Sequence, residues 1–173
     1  MTITAHYLDA DHTLASRSDM PGATIPVSDD NRHWRELVDM GVTPTDYAPP
    51  AATTADVDRL RDAKIAAGFT FGGIVFQTDP DSVKRIAGAA SAAHVAITQD
   101  GAQVGDLRWA DPASDFGWIA QDNSVVVMDA PTVIAFGQAY MAHERALVFA
   151  AKAIKDRIRA GETVDIESAP EWP

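Results

Sequence analysis

Between Gly68 and Ser82 the chain reads Gly-Phe-Thr-Phe-Gly-Gly-Ile-Val-Phe-Gln-Thr-Asp-Pro-Asp-Ser, a stretch that leaves the backbone few choices. Two glycines between short apolar runs suit the positive φ angles of a two-residue hairpin turn. With Gly72-Gly73 as that turn, Phe71 falls opposite Ile74 and Phe69 opposite Phe76. These four side chains then share one face, while Thr70 and Val75 point away. An isolated hairpin is only marginally stable in water, so its aromatic face requires a covering element. The sequence supplies one at once: Asp79 is placed to cap a helix, and Pro80 falls in its first turn, where a missing N–H costs nothing.

The rest of the chain arranges itself around this frame. Residues 1 to about 27 alternate loosely through Ile3, Tyr7 and Leu8, turn at Asp9-Ala10-Asp11-His12, return through Leu14 and end in Ala23-Thr24-Ile25-Pro26-Val27. That pattern predicts a small β meander with Pro26 on an edge. Asp29-Asp30-Asn31 then precedes Trp34, Leu37 and Val38, a one-face pattern of about three helical turns that Gly41 ends. Residues 43–52 carry three prolines among small residues and read as an extended linker between modules. Thr53 with Asp56 fits a capping box, and Val57, Leu60, Lys64 and Ile65 carry a helix to Gly68.

After the hairpin, Val83, Ile86, Ala87, Ala90 and Ile97 recur at helical spacing, with Gly88, Ala89, Ala92 and Ala93 keeping the helix surface small. Residues 99–115 are polar around one apolar island, Leu107 to Trp109, and read as a loop or a short strand. Phe116 to Ala120 and Val125 to Met128 flank Gln121-Asp122-Asn123-Ser124 as a second hairpin. From Asp129 to about Ala160 runs a helical pattern on the order of 45 Å long. Its stripe is Val133, Gly137, Tyr140, Leu147, Ala151, Ile154 and Ile158, with Phe136 and Ala150 beside it and Glu144 interrupting. The fold class expected is α+β: a β module with a short helix over 1–42, a linker over 43–52, two hairpins packed with helices over 53–161, and a tail over 162–173.

Several chemistries are excluded by composition. The chain has no cysteine, which removes disulfides, thiolate metal sites and a Cys nucleophile. A formal charge of -11 disfavours nucleic acid and anionic membrane surfaces as partners. No stretch reaches the roughly 18 uninterrupted apolar residues of a membrane span, and the amino terminus lacks a basic patch followed by an apolar run, so a soluble chain made in the cytosol is expected. His6, Asp9, Asp11 and His12 are metal-ligand types, but their spacing does not force them to converge, and a solvated hairpin tip is the favoured reading. Asp29-Asp30-Asn31 with Glu36 lacks the alternation and the glycine of a calcium loop. Asp106, Asp111, Asp115 and Asp122 are candidates for an acid–base pair only if a cleft raises one of them, and their polar setting argues for plain ionised carboxylates. His143-Glu144 lacks the second histidine of a zinc motif. No catalytic, cofactor-binding or metal residue is therefore assigned.

The run Gly68-Phe69-Thr70-Phe71-Gly72-Gly73 with Phe76-Gln77-Thr78-Asp79, the helix containing Arg85-Ile86-Ala87-Gly88-Ala89, then Trp118 with Asp122-Asn123 and a long alanine-rich last helix resembles a domain of unknown function found in tail-fibre-region proteins of tailed bacteriophages and prophages. The resemblance spans residues 55 to 160 or so, and the front of the chain is similar to the opening of short phage tail accessory proteins. It implies a non-enzymatic structural component of the virion, made in the host bacterial cytoplasm and acting through contacts with other tail or fibre proteins. The alternative is a tail-fibre assembly chaperone. No catalytic residues come with the resemblance. Because so long an apolar stripe exceeds what a small domain easily covers, self-association or docking is expected through Tyr140, Leu147, Ile154 and Ile158, with Trp172, set between prolines, as a further contact.

Overall fold

The computed structural model describes residues 2–47 and 51–173. Ala48, Pro49 and Pro50 of the expected linker lie outside the described residues. The chain divides into two compact units, residues 1–51 and 52–173. The fold is α+β: small antiparallel sheets with four helices among the described residues, the last of them long.

In the first unit β1 (Ala5–Tyr7), β2 (Leu14–Arg17) and β3 (Ile25–Pro26) form a three-stranded antiparallel sheet in that order, with Ala5 opposite Arg17 and Ala15 opposite Ile25. Pro26, which cannot donate to a ladder, lies on the last strand of the three. Ala5, Ala15 and Ile25 are buried. Asn31 caps α1 (Arg32–Asp39) by accepting from the backbone N–H groups of His33 and Trp34. This helix has 8 residues, closer to two turns than the three expected, and only Leu37 is buried. Val38, read as part of the core face, is 57% exposed. The stop falls where Gly41 is expected to set it: Gly41 takes φ 69° while the N–H groups of Gly41 and Val42 donate to the carbonyls of Val38 and Leu37.

Past α1 the chain returns to the sheet. Thr45 donates to the Ala5 carbonyl and accepts from Tyr7 N–H, both at 3.0 Å, forming a parallel bridge opposite His6. The first residues of the proposed linker thus belong to the first unit rather than to a free connection. The buried Arg17 side chain ties β2 to α1 by ion pairs of 2.8 Å to Asp19 and 2.9 Å to Glu36 and by donating to the His33 carbonyl.

In the second unit the Thr53–Asp56 capping box opens α2 (Thr54–Ala66). The hairpin β4 (Phe69–Phe71) and β5 (Ile74–Phe76) has the expected register, Phe69 opposite Phe76 and Phe71 opposite Ile74, around Gly72 and Gly73 at φ 59° and 81°. Asp79 caps α3 (Pro80–Gln99) by accepting from the N–H groups of Asp81 and Ser82. The buried face of α3 is Ser82, Ile86, Ala93 and Ala96, whereas Ala87 faces out. Residues 100–116 are a loop. Its apolar island is pinned by Phe116 N–H donating to the Leu107 carbonyl at 2.6 Å and by Trp109 Nε1 donating to the Met128 carbonyl at 3.0 Å. The second hairpin, β6 (Gly117–Ile119) and β7 (Val125–Val127), leads into α4 (Ala130–Arg159), capped by Asp129.

α4 carries two separate clusters. Phe69, Phe76, Ile86, Met128, Val133, Phe136 and Tyr140 form the larger. Val57, Ala151, Ile154, Val164 and Ala169 form the smaller, with Ile158, Ile166 and Trp172 at its edge. Residues 162–173, expected as a tail, therefore fold back as part of the unit. Val164, Ile166, Ala169 and Trp172 are apolar at intervals along that segment and have nowhere else to leave water than on the last turns of α4.

Candidate interaction surface

The stripe on α4 is not a free surface. Tyr140, Leu147 and Ile154 are between 0% and 4% exposed, closed over by the chain itself, and Ile158 is half-buried against the smaller cluster. Trp172 is also held internally: its Nε1 donates to the Ile166 carbonyl at 2.7 Å and the Lys64 ammonium lies 5.3 Å from the ring centre. The five residues expected to meet a partner are thus part of the unit's own packing. The physical reason is coverage by four elements, with α3 and the first hairpin over one half of the helix and α2 with the C-terminal segment over the other.

The apolar residues that remain outside are different ones. In β6 and β7 successive side chains alternate sides, so Trp118 and Val126 pack on the larger cluster while Ile119, Val125 and Val127 face out. These three are 57%, 66% and 52% exposed on one face of one hairpin. On α4, Met141 and Phe149 are 68% and 60% exposed, and the Arg145 guanidinium sits 5.4 Å from the Phe149 ring centre. A groove of about 740 Å³ lies between α3 and α4, with Ala87, Ala90 and Gly137 among its lining and Val95 and Met141 exposed on it. Its floor is shallow because Gly137 has no Cβ: one added there would stand 2.9 Å from the Ala90 Cβ, so the two helices meet backbone to side chain. The outward valines had a signal in the sequence, since Val125-Val126-Val127 is apolar at every position instead of alternating.

The titratable residues singled out from the sequence do not assemble. Asp9 is occupied by the hydroxyl and N–H of Thr13 and the N–H of Leu14, which hold its carboxyl below the ordinary range, the hydroxyl most strongly. His12 stacks on Tyr7 with ring centres 4.0 Å apart. Asp111 accepts from Ala113 N–H and the Ser114 hydroxyl, and Asp122 from the hydroxyl and N–H of Ser124; both carboxyls are lowered by these bonds. Asp106 accepts from Arg108 N–H, and Asp115 pairs with the Arg108 side chain at 3.1 Å. Asp111 and Asp122 are thus satisfied within their own turns, which is the environment of a fixed anion and not of a shared proton. Among the described residues no three His, Asp or Glu side chains are grouped as metal ligands would be.

His143 is half-buried near the Phe69 ring, and its Nε2 is buried with no hydrogen-bond partner. Tyr140, one turn before Glu144, has its hydroxyl pKa pushed up to about 12, first by burial and then by the neighbouring carboxylate. None of the described helices is long and apolar enough to cross a membrane.

The aromatic hairpin, the two-cluster α4 and the folded-back C-terminal segment as far as Pro170 lie within residues 48–170, the span matched by the family model described as a domain of unknown function, DUF4376. The chain belongs to the DUF4376 family. Because the match extends to residue 170, the DUF4376 domain includes Val164, Ile166 and Ala169, the residues that cover the last turns of α4. No curated protein and no solved structure matches the chain.

Proposed function

We propose that this DUF4376 protein is a non-enzymatic structural component of a tailed bacteriophage particle, associated with the tail or tail fibre and working through contacts with other tail proteins. The observation that carries the contact role is the outer face of the second hairpin. Ile119, Val125 and Val127 stand together in water on a regular element whose other face already fills a core. A cluster of this kind is costly to leave uncovered and is the usual mark of a protein-binding surface. The tail assignment is supported by the sequence resemblance of residues 68–79, 85–89, Trp118, Asp122-Asn123 and the last helix. Carboxylates satisfied by their own turns, as at Asp111 and Asp122, favour a binding role over acid–base chemistry.

Mass spectrometry of purified virions is the test. The protein is expected there in stoichiometric amount, and its absence from particles that contain the rest of the tail defeats the proposal. A second reading, an assembly chaperone for the fibre, is favoured by the acidic balance of 25 carboxylate against 14 basic side chains, which keeps a transient holder soluble. Co-expression separates the two: a chaperone raises the yield of soluble fibre and is lost from mature particles.

A further inference from the structure

We infer that the groove between α3 and α4 is a self-association surface, occupied by the same groove of a second copy in an antiparallel, two-fold arrangement. This does not depend on the virion assignment. The middle of the groove carries no charge: Ala87, Ala90 and Gly137 leave a shallow floor beside the neutral Ser91 and Gln138, and Met141, 68% exposed, projects over it. A flexible, unbranched methionine next to a floor of small residues is both knob and hole, so the surface is self-complementary. From Ala130 to Ala142 α4 bears no charged side chain, and covering that half of the groove strips water from no ion.

The ends of the groove decide the orientation. α3 and α4 run antiparallel: Phe76, just before α3, packs 4.7 Å from Phe136, while Gly105, just after α3, donates its N–H to the Asp129 cap of α4 at 2.7 Å. Glu144 therefore lies at the Val83 end of the groove and His94 at the other, about 16 Å away along α3. A two-fold axis lying across the groove brings Glu144 of each copy to the same end as His94 of its mate, diagonally across the groove, where an imidazole N–H can donate to the carboxylate. The parallel alternative sets Glu144 against Glu144, which like-charge repulsion disfavours.

Sedimentation velocity of the full chain over a wide concentration range tests this, with circular dichroism to verify folding of each variant. The wild type is expected to reach twice the 18.5 kDa chain mass. Met141→Arg is expected to raise the dissociation constant by about tenfold or more, as for a central contact. Phe149→Arg, on a different part of α4, is expected to leave it unchanged. Glu144→Lys weakens the dimer, and adding His94→Glu to it restores the dimer by exchanging the two ends. Should Met141→Arg misfold, Ala87→Arg on α3 replaces it. A wild type that stays monomeric at every concentration overturns the inference, and so does a dimer that survives a folded groove variant.

Discussion

α4 is one helix with two surroundings. In its first half Phe136 is enclosed by Phe69, Phe71, Phe76 and Trp118, with ring centres 4.7 to 5.5 Å away. In its second half Ala151 and Ile154 meet Val57, Val164 and Ala169, and the rim is closed by ion pairs of 2.7 Å from Lys155 to Asp58 and 2.8 Å from Arg157 to Glu171. Lys155 holds the Asp58 carboxyl below its ordinary range chiefly through their hydrogen bond. Between the halves stand His143 and Glu144, both half-buried. A helical stripe interrupted at Glu144 thus serves two cores, one aromatic and built from adjacent elements, the other aliphatic and closed by a segment that arrives only at the end of the chain.

The sharpest way to break that comparison is at Phe136. Phe136→Ala is expected to cost about 3–5 kcal/mol, the range for an aromatic ring removed from a tight core. Such a loss is a large share of the stability of a domain this size. Urea unfolding read from tryptophan fluorescence measures it. Ile154→Ala is expected to cost less, about 2–3 kcal/mol, because small neighbours such as Ala151 and Ala169 surround it at the edge of the unit. If Ile154→Ala proves the more damaging, the aromatic cluster is not the dominant core. Hydrogen exchange sharpens the point: Ile154→Ala should release the start of α2 and residues 164–172 while leaving β4, β5 and the first half of α4 protected.

Trp172→Ala comes next, at about 1–2 kcal/mol, since the ring is half-buried and its N–H bond to the Ile166 carbonyl is lost with it. The expected signature is faster proteolysis between Gly161 and Trp172 with little change at the hairpins. Unchanged cleavage would mean that the segment is held by Val164 and Ala169 alone.

What could be read from the sequence was mostly chemistry of neighbouring residues. The register around Gly72-Gly73, the caps at Asn31, Thr53 and Asp79, and the extent of α4 all follow from side chains within a few positions of the event. The coverage of a face does not. Val38 has the spacing of a core residue and lies inside α1, yet points outward, because only the Leu37 side of that helix meets the rest of the unit. Thr45 lies in a proline-rich stretch yet pairs with β1, bridging to His6 39 residues earlier in the chain. Tyr140, Leu147 and Ile154 look unpartnered until α2, α3 and residues 164–172 are placed over them, a matter of long-range packing that no local window contains. The outward face of β6 and β7 lies between these cases, since three consecutive valines declare a strand with two apolar faces but not what meets the second.

The smallest effect expected is at the junction of the two halves. Tyr140→Phe keeps the ring that meets Phe69 at 5.5 Å and removes only a hydroxyl, so at neutral pH stability should change by less than about 1 kcal/mol. The contrast appears in alkali. Because burial and Glu144 push the Tyr140 hydroxyl from 10.0 up to about 12, the folded state keeps a proton that the unfolded chain has already released between those values. The folded form then binds more protons than the unfolded one, and its stability, complete below pH 10, falls as the pH rises toward 12. Unfolding curves at steps across this window should show a steeper decline for the wild type than for Tyr140→Phe. Parallel declines would show that Tyr140 ionises as freely in the folded protein as in the unfolded chain, and that the region between the aromatic and aliphatic clusters is wet.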